Sequence, residues 1–427
     1  MGKSNNPNLT FSSFVNCFNN LVGAGIVSLP ATLAKTGLGL GTGVLLLIAI
    51  ATAITSKLII STCAKNGIKS PRALSVSAFG RVGGFVVDLA TFLFCLGSLI
   101  VYITLAGEYL QTIVEAKVAA DKIPTWIFSN GGAFVKALIV VFLIPFLIPT
   151  SLHALRHISF VVVIAALYTV ALVIYTTFTT PIKDVDYIRT DMNSFEAVGV
   201  VVFAFGLNYA TPLLLSGIDE TLNPKSVSKK LTSGAVASVV IVGILYISIA
   251  ICGYLTYGAG INGNVLKNIG ANDIPGLVAN VAMCIVVIFS FPILCIPTRV
   301  ALIKILTPRS DKDIMAKENF KIVPYLISGY VLLAGAYIFS VLVPQIDTIL
   351  SIFGGICGSL CCFVIPVFCY VKLSYKNTII DPAVGGSFKQ WCRDHVAVLI
   401  FIAIFTVIFF VFGSIGSVMS AISLAKS

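Results

Sequence analysis

Long apolar runs follow one another along nearly the whole chain, separated by short polar breaks, and this alternation constrains the fold more than any single motif. A helix needs about 20 apolar residues to cross the hydrocarbon core of a bilayer, where every backbone N–H and C=O must be satisfied within the protein. On that length scale the 427 residues predict eleven membrane helices, over roughly 11–34, 39–63, 83–115, 134–151, 157–180, 195–218, 231–257, 276–307, 323–343, 346–371 and 396–422. The expected fold class is therefore an all-α polytopic membrane protein. Only 11% of the residues are charged and 58% are hydrophobic, against about 25% charged in a soluble domain. A soluble enzyme is excluded.

Charge distribution orients the spans. With the amino terminus in the cytosol, 20 of the 28 Lys and Arg residues fall on the cytosolic side and 8 on the other, as the positive-inside rule requires. An odd span count then places the carboxy terminus outside or in a lumen. The formal charge of +11 is thus a matter of topology; no basic block with interleaved aromatics points to nucleic acid. The polar opening MGKSNNPNLT leads into an apolar stretch with no A-x-A-like site, so a retained first span is expected rather than a cleaved signal. Most of the eleven cysteines, Cys95, Cys284, Cys361 and Cys362 among them, lie inside apolar runs as small hydrophobes, without disulfide or zinc spacing.

Two spans are poor continuous helices. The first carries Asn19, Asn20, Gly23, Gly25 and Pro30 at its centre, and the sixth carries Gly206, Asn208, Thr211 and Pro212. They hold the same place in two successive groups of five, the pattern of an inverted-repeat transporter with two discontinuous helices. Unwound backbone exposes N–H groups that suit a carboxylate and carbonyls that suit an ammonium or Na⁺, so the pair suits a zwitterion. The competing reading is that Gly and Pro simply permit close helix packing. Glu108 and Arg299 are the ionisable residues expected deepest in the membrane, Glu108 being the candidate coupling carboxylate. Asp88, Glu196 and Asp347 are expected at solvated helix ends. His153, His157 and His395 fall in connectors, and no H-E-x-x-H, G-x-S-x-G or Walker-type loop occurs, so neither catalysis nor ATP-driven transport is expected.

Five motifs in order carry a family resemblance: NNLVGAGIVSLP at residues 19–30 with Ala34-Lys35-Thr36-Gly37 after it, GSLIVYITLAGEYL with Tyr102, Gly107 and Glu108, FAFGLNY before Asn223-Pro224, SFPILCIPTR, and VPQIDTILSIFGGICGSLCCF. The whole chain resembles the amino acid/auxin permease family of the amino acid–polyamine–organocation transporters, and is similar to its sodium-coupled neutral and proton-coupled members. The resemblance implies a LeuT-like five-plus-five inverted repeat plus one helix: residues 1–180, residues 181–371, and residues 372–427. It implies secondary active amino acid transport, of neutral amino acids, by alternating access coupled to Na⁺ or H⁺, with no resident cofactor and no enzymatic activity. In that reading backbone at Val22, Gly23, Ala24 and Gly25 holds the carboxylate, and carbonyls near Phe203, Phe205 and Gly206 receive the amine. Asn208 and Tyr102 face the rest of the substrate. A cation site is implied at Asn19 and Ser290, whose neutral oxygens suit a hard cation; their local roles would be to satisfy the break and to bond back to the helix. Many relatives have His where this chain has Asn208, which leaves no titratable group there. A membrane amino-acid sensor and an uncoupled exchanger are the alternative functions; an ion channel would need a continuous polar pore. The expected setting is a monomer among membrane lipids, in the plasma membrane or a vacuolar or lysosomal membrane.

Overall fold

The first apolar run ends as a regular helix at its Asn-Asn-Leu-Val-Gly stretch. In the computed structural model, which describes residues 9–147, 158–216, 218, 221–306, 322–380, 396, 400 and 410–426, α1 (Leu9–Leu21) gives way to a 3₁₀ turn at Ala24–Val27 and then to α2 (Leu29–Thr36). Gly37 turns the chain sharply into α3 (Leu38–Asn66) with φ +81. Glycine is required here twice over: the left-handed conformation disfavours a side chain, and a Cβ would stand 2.8 Å from the Tyr187 carbonyl. Residues 186–189 lie along this turn, with Leu38 N–H donating to Asp186 C=O at 2.9 Å and Arg189 N–H to Thr36 C=O at 2.8 Å.

The next helices extend beyond their apolar windows because polar caps start them early. Ser70 accepts from the Ala73 N–H at 3.1 Å and Pro71 occupies the first turn, so α4 runs Pro71–Lys117 and bends at Gly80. α5 (Ser129–Leu143) continues as a 3₁₀ turn to Leu147; the rest of the predicted fourth span, to residue 151, lies outside the described residues. After α6 (Ile158–Thr179), α7 (Asn193–Ala204) opens the sixth run and ends at its centre. Asn223 caps α8 (Pro224–Tyr257), which therefore starts before the expected residue 231. A short helix absent from the sequence reading, α9 (Val265–Ile269), precedes α10 (Ile274–Leu306). α11 (Ile322–Leu342) is followed by α12 (Ile346–Ile352), whose run passes through π-helical turns at Phe353–Gly358 and Leu360–Val364 into α13 (Ile365–Ile380). Of the last predicted span, residues 396, 400 and 410–412 and α14 (Gly413–Lys426) are described.

Eight helices among the described residues are long and apolar enough to cross a membrane. The first and sixth runs are broken into short pieces, and the last is described only from residue 410 apart from residues 396 and 400, which is why the expected eleven are not all present as single cylinders. Lipid tails are as apolar as leucine, so packing rather than hydrophobic burial joins such helices. α4 lies against α10, α8 against α1 and α3, and α7 against the π-helical segment. At that last contact the backbones touch: a Cβ on Gly354 would collide with the Gly199 carbonyl. π-Helical turns of this kind are frequent at functional sites.

Candidate functional site

Both interruptions fall inside the protein and leave helix-end groups unserved. In the first, Val22 N–H makes the last helical bond, to Phe18 C=O at 2.8 Å, and Gly23 is extended (φ −145, ψ −154). Among the described residues the N–H groups of Gly23 and Gly25 have no backbone acceptor. The chain recovers with Ser28 N–H on Gly25 C=O at 3.2 Å, and Pro30 sits in the first turn of α2. In the second, α7 ends at Ala204, and residues 205–210 form turns held by Gly206 N–H to Phe203 C=O at 3.1 Å and Leu207 N–H to Phe205 C=O at 2.7 Å. A 3₁₀ segment, Thr211–Leu215, follows with Pro212 in its first turn.

The two breaks meet. A Cβ on Gly25 would lie 2.9 Å from Ala204 Cβ and 3.0 Å from its Cα, so the unwound part of the first run rests directly on the end of α7. Tyr246 of α8, wholly buried, places its hydroxyl 2.5 Å from the Leu21 carbonyl and 3.3 Å from the Ala204 carbonyl, the last residues of α1 and α7. Its ring meets Phe205 edge to face at 5.1 Å. Tyr102 of α4 stands beside Gly23, its hydroxyl 3.6 Å from where a Cβ would be. Phe94 of α4 packs on Gly206, with ring centroids 4.8 Å from Phe203 and 5.4 Å from Tyr209. The Tyr209 hydroxyl donates to Asn20 Oδ1 at 3.3 Å, a second tie between the breaks. Exposed N–H groups near Gly23 and carbonyls at Leu21 and Ala204 are complementary to an anion and a cation held a few bonds apart.

The structure thus brings Gly23, Gly25, Tyr102, Phe203, Phe205 and Gly206 into one region, with Val22 buried at its edge. Asn208 turns elsewhere: its Oδ1 accepts from Ser56 Oγ of α3 at 2.6 Å, and its buried Nδ2 has no partner among the described residues. It lines a crevice of about 10 Å³ with Leu74, Tyr209, Cys361 and Ile365, room for about one water. Among the described residues Asn19 Oδ1 is buried without a hydrogen-bond partner, while Ser290 is half-buried on α10 and no hydrogen bond joins the two. An orphaned amide oxygen is the kind of group a hard cation satisfies.

Glu108 sits above the breaks in an ion pair with Lys267 at 3.0 Å and accepts from Asn264 Nδ2 at 3.0 Å, which fastens the start of α9 to α4. Arg299 is buried as expected, at 1% exposure. It donates from Nη1 to the Leu147 carbonyl at 3.0 Å and stacks 4.4 Å from the Tyr325 ring centroid, and among the described residues Nε and Nη2 have no acceptor.

Three carboxylates expected at solvated ends are instead paired and largely buried. Lys35, at the end of α2, donates to Glu196 of α7 at 3.0 Å and to Asp347 of α12 at 2.9 Å. Asp88 is paired with Arg72 across the Gly80 bend. The correction has one cause: helix ends pack on one another here, so a residue near the membrane boundary by hydropathy still leaves water. The Lys35 cluster and the Glu108–Lys267 pair border one polar cavity of about 390 Å³, with Gly263 against Asp347. Lys136, 2% exposed, was not singled out by sequence; its Nζ donates to the Ser340 carbonyl at 2.5 Å and its stem lies on Gly107. Its place in an apolar run was the available signal.

Comparison with known proteins gives the family and the fold. Residues 8–419 match a family model described as "Transmembrane amino acid transporter protein". A Bos taurus protein named "Putative sodium-coupled neutral amino acid transporter 11" is 25% identical over 365 residues, 84% of this chain and 75% of that protein. The Homo sapiens "Solute carrier family 38 member 10" is 24% identical over 386 residues, 86% of this chain but 33% of that longer protein. Among solved structures, the inward-facing conformation of Mhp1 superposes with TM-score 0.59 at 12% identity, over 98% of this chain and 90% of that one. An Eremococcus coleocola manganese transporter does so with TM-score 0.53 at 14% identity, over 100% and 97%. At such identity the two share the LeuT-like fold alone with this chain. The match over nearly the whole length, on a scaffold of membrane-crossing helices, makes the chain an integral multi-pass membrane protein and a member of the transmembrane amino acid transporter family, a family of transporters and not of enzymes.

Proposed function

We propose that the chain carries neutral amino acids across a membrane by secondary active transport, binding each at the two helix breaks and exposing it to either side in turn. The observation that carries this reading is the meeting of the breaks: Gly25 against Ala204, with the helix-end carbonyls of Leu21 and Ala204 converging on Tyr246. Amide N–H groups at Val22 to Gly25 receive the substrate carboxylate, and the carbonyls at the end of α7 receive its ammonium. Tyr102 borders the carboxylate end, and Phe94 and Phe203 supply apolar walls. Among the described residues around the breaks there is no carboxylate, which favours a neutral side chain. Residues 1–180 and 181–371 form the two inverted repeats of an eleven-helix chain, and residues 372–427 supply the last helix.

Alternating access needs a seal on one side of the substrate. The Lys35 pairs with Glu196 and Asp347 link α2, α7 and α12 above the breaks, on the side assigned as non-cytosolic by the positive-inside rule. Asn208 and its crevice lie below, towards Pro71 at the cytosolic start of α4. The arrangement supports an outward path that is closed by charge pairing. Sodium is the coupling ion that the orphaned Asn19 Oδ1 favours, with Ser290 as its partner across the site, and relatives bearing "sodium-coupled" in their names agree. Glu108, already engaged by Lys267 and Asn264, is assigned to the α9 anchor instead of proton coupling.

Reconstitution tests this directly. Proteoliposomes holding the purified chain are loaded with unlabelled alanine, glutamine and leucine, and uptake of the radiolabelled forms is measured. Exchange-accelerated uptake that falls when Na⁺ is replaced by choline, and that survives an uncoupler at clamped potential, is the expected result. A sensor or channel gives no exchange acceleration, and loss on uncoupling with indifference to Na⁺ removes the Asn19–Ser290 site.

A further inference from the structure

α1 and α7 end in the same way, each with a carbonyl that its own helix no longer serves, at Leu21 and Ala204. One side chain answers both. Tyr246 reaches in from α8, a helix outside either break, with its hydroxyl at 2.5 Å from Leu21 C=O and 3.3 Å from Ala204 C=O. A phenol has one proton and two acceptor lone pairs, so it can donate to only one of these carbonyls at a time. The shorter contact assigns the proton to Leu21. Ala204 C=O is then left facing an oxygen that itself accepts, so the corner holds two acceptors and needs a further donor. The edge-to-face contact with Phe205 and complete burial fix the ring, so the hydroxyl cannot swing away to relieve this.

We propose that Tyr246 is the positioning residue of the ammonium subsite: by donating to Leu21 C=O it fixes that carbonyl beside Ala204 C=O, and it offers its own oxygen as an acceptor when a primary ammonium arrives. The inference rests on the transport reading above for its ligand, but the bond from Tyr246 to the end of α1 stands without it. An α-ammonium group brings three donors, enough for Ala204 C=O, Leu21 C=O and the Tyr246 oxygen together. Recognition is therefore of the amine common to all amino acids and is indifferent to the side chain.

Tyr246→Phe keeps the ring and its packing on Phe205 and removes only the hydroxyl. Uptake of radiolabelled alanine, glutamine and leucine into proteoliposomes is expected to show KM raised about tenfold to a hundredfold, the worth of one hydrogen bond to a charged group, by the same factor for each substrate and with Vmax per folded carrier within about twofold of the parent. A merely structural role would lower Vmax and thermal stability while leaving KM unchanged, and that pattern overturns the proposal. Amide hydrogen exchange on the detergent-solubilised full-length chain, without substrate, supplies the second arm. Exchange is expected to quicken at residues 22–28, which follow the carbonyl that loses its donor; unchanged exchange there overturns the proposal. If the parent chain transports none of the three probes, the transport reading fails while the exchange arm still decides whether Tyr246 holds the end of α1.

Discussion

Gly25 and Gly23 are two residues apart in the same unwound stretch, yet the structure predicts opposite responses to one added methyl. At Gly25 the new Cβ would stand 2.9 Å from Ala204 Cβ and 3.0 Å from Ala204 Cα. Carbon atoms prefer roughly 3.5–4.0 Å, so the two segments must part by about 0.5–1 Å. Neither obstructing atom can rotate out of the way, since one is backbone and the other is fixed to it. Overpacking of this kind costs about 1–3 kcal/mol, which, taken from the bound state, weakens apparent affinity about fivefold to a hundredfold. At Gly23 the nearest atom is the Tyr102 hydroxyl at 3.6 Å, an ordinary contact, and the backbone is extended with negative φ. Gly25→Ala should therefore raise KM for amino acid uptake in proteoliposomes by that factor, while Gly23→Ala stays within about threefold of the parent. Thermal unfolding in detergent, run beside transport, separates a displaced site from a misfolded carrier. Parental KM in folded Gly25→Ala would falsify the claim that the breaks touch.

Lys35→Met removes the cation shared by Glu196 and Asp347 and leaves two carboxylates facing one another. It should destabilise the outer closure by about 1–2 kcal/mol, the partial exposure of the cluster tempering the cost. The combined Lys35→Asp and Asp347→Lys exchange should restore part of both Vmax and melting temperature, and no recovery would remove the pairing from the gate. Arg299→Met should leave stability within about 1 kcal/mol of the parent or raise it, because a desolvated guanidinium with Nε and Nη2 unserved offsets much of its own carbonyl bond and ring contact; a fall in unfolding free energy beyond about 2 kcal/mol contradicts this. Gly37→Ala meets a positive φ and the Tyr187 carbonyl at once, at a cost of about 1–3 kcal/mol. Faster limited proteolysis between residues 181 and 192 is the expected readout.

The breaks were legible because they are local events. Asn19, Asn20, Gly23 and Pro30, and again Gly206, Asn208 and Pro212, lower helix propensity within a few residues, and the chain responds within those same residues. Their meeting at Gly25 and Ala204 was expected only through the repeat pattern of the two runs. The charge pairs were not legible: Lys35 finds partners 161 and 312 residues away, and hydropathy alone sent Glu196 and Asp347 to water. Tyr246 was hidden for another reason. It lies in an unremarkable apolar run, and what it binds is backbone, which has no sequence signature at all. Helix starts were misjudged in one direction, because Ser70 with Pro71 and Asn223 with Pro224 begin helices in polar flanks that an apolar window discards.

Substrate-dependent hydrogen exchange at the unwound backbone bears most directly on the whole account. The reconstituted full-length chain, in Na⁺ buffer, would be compared with and without saturating alanine, glutamine or leucine. Slowed exchange at amides 23–26 together with 205–208, for at least one of the three and absent with a non-zwitterionic amide analogue, is the predicted result. Uptake of an amino acid with no protection at either break would place its site elsewhere in the membrane and contradict the account.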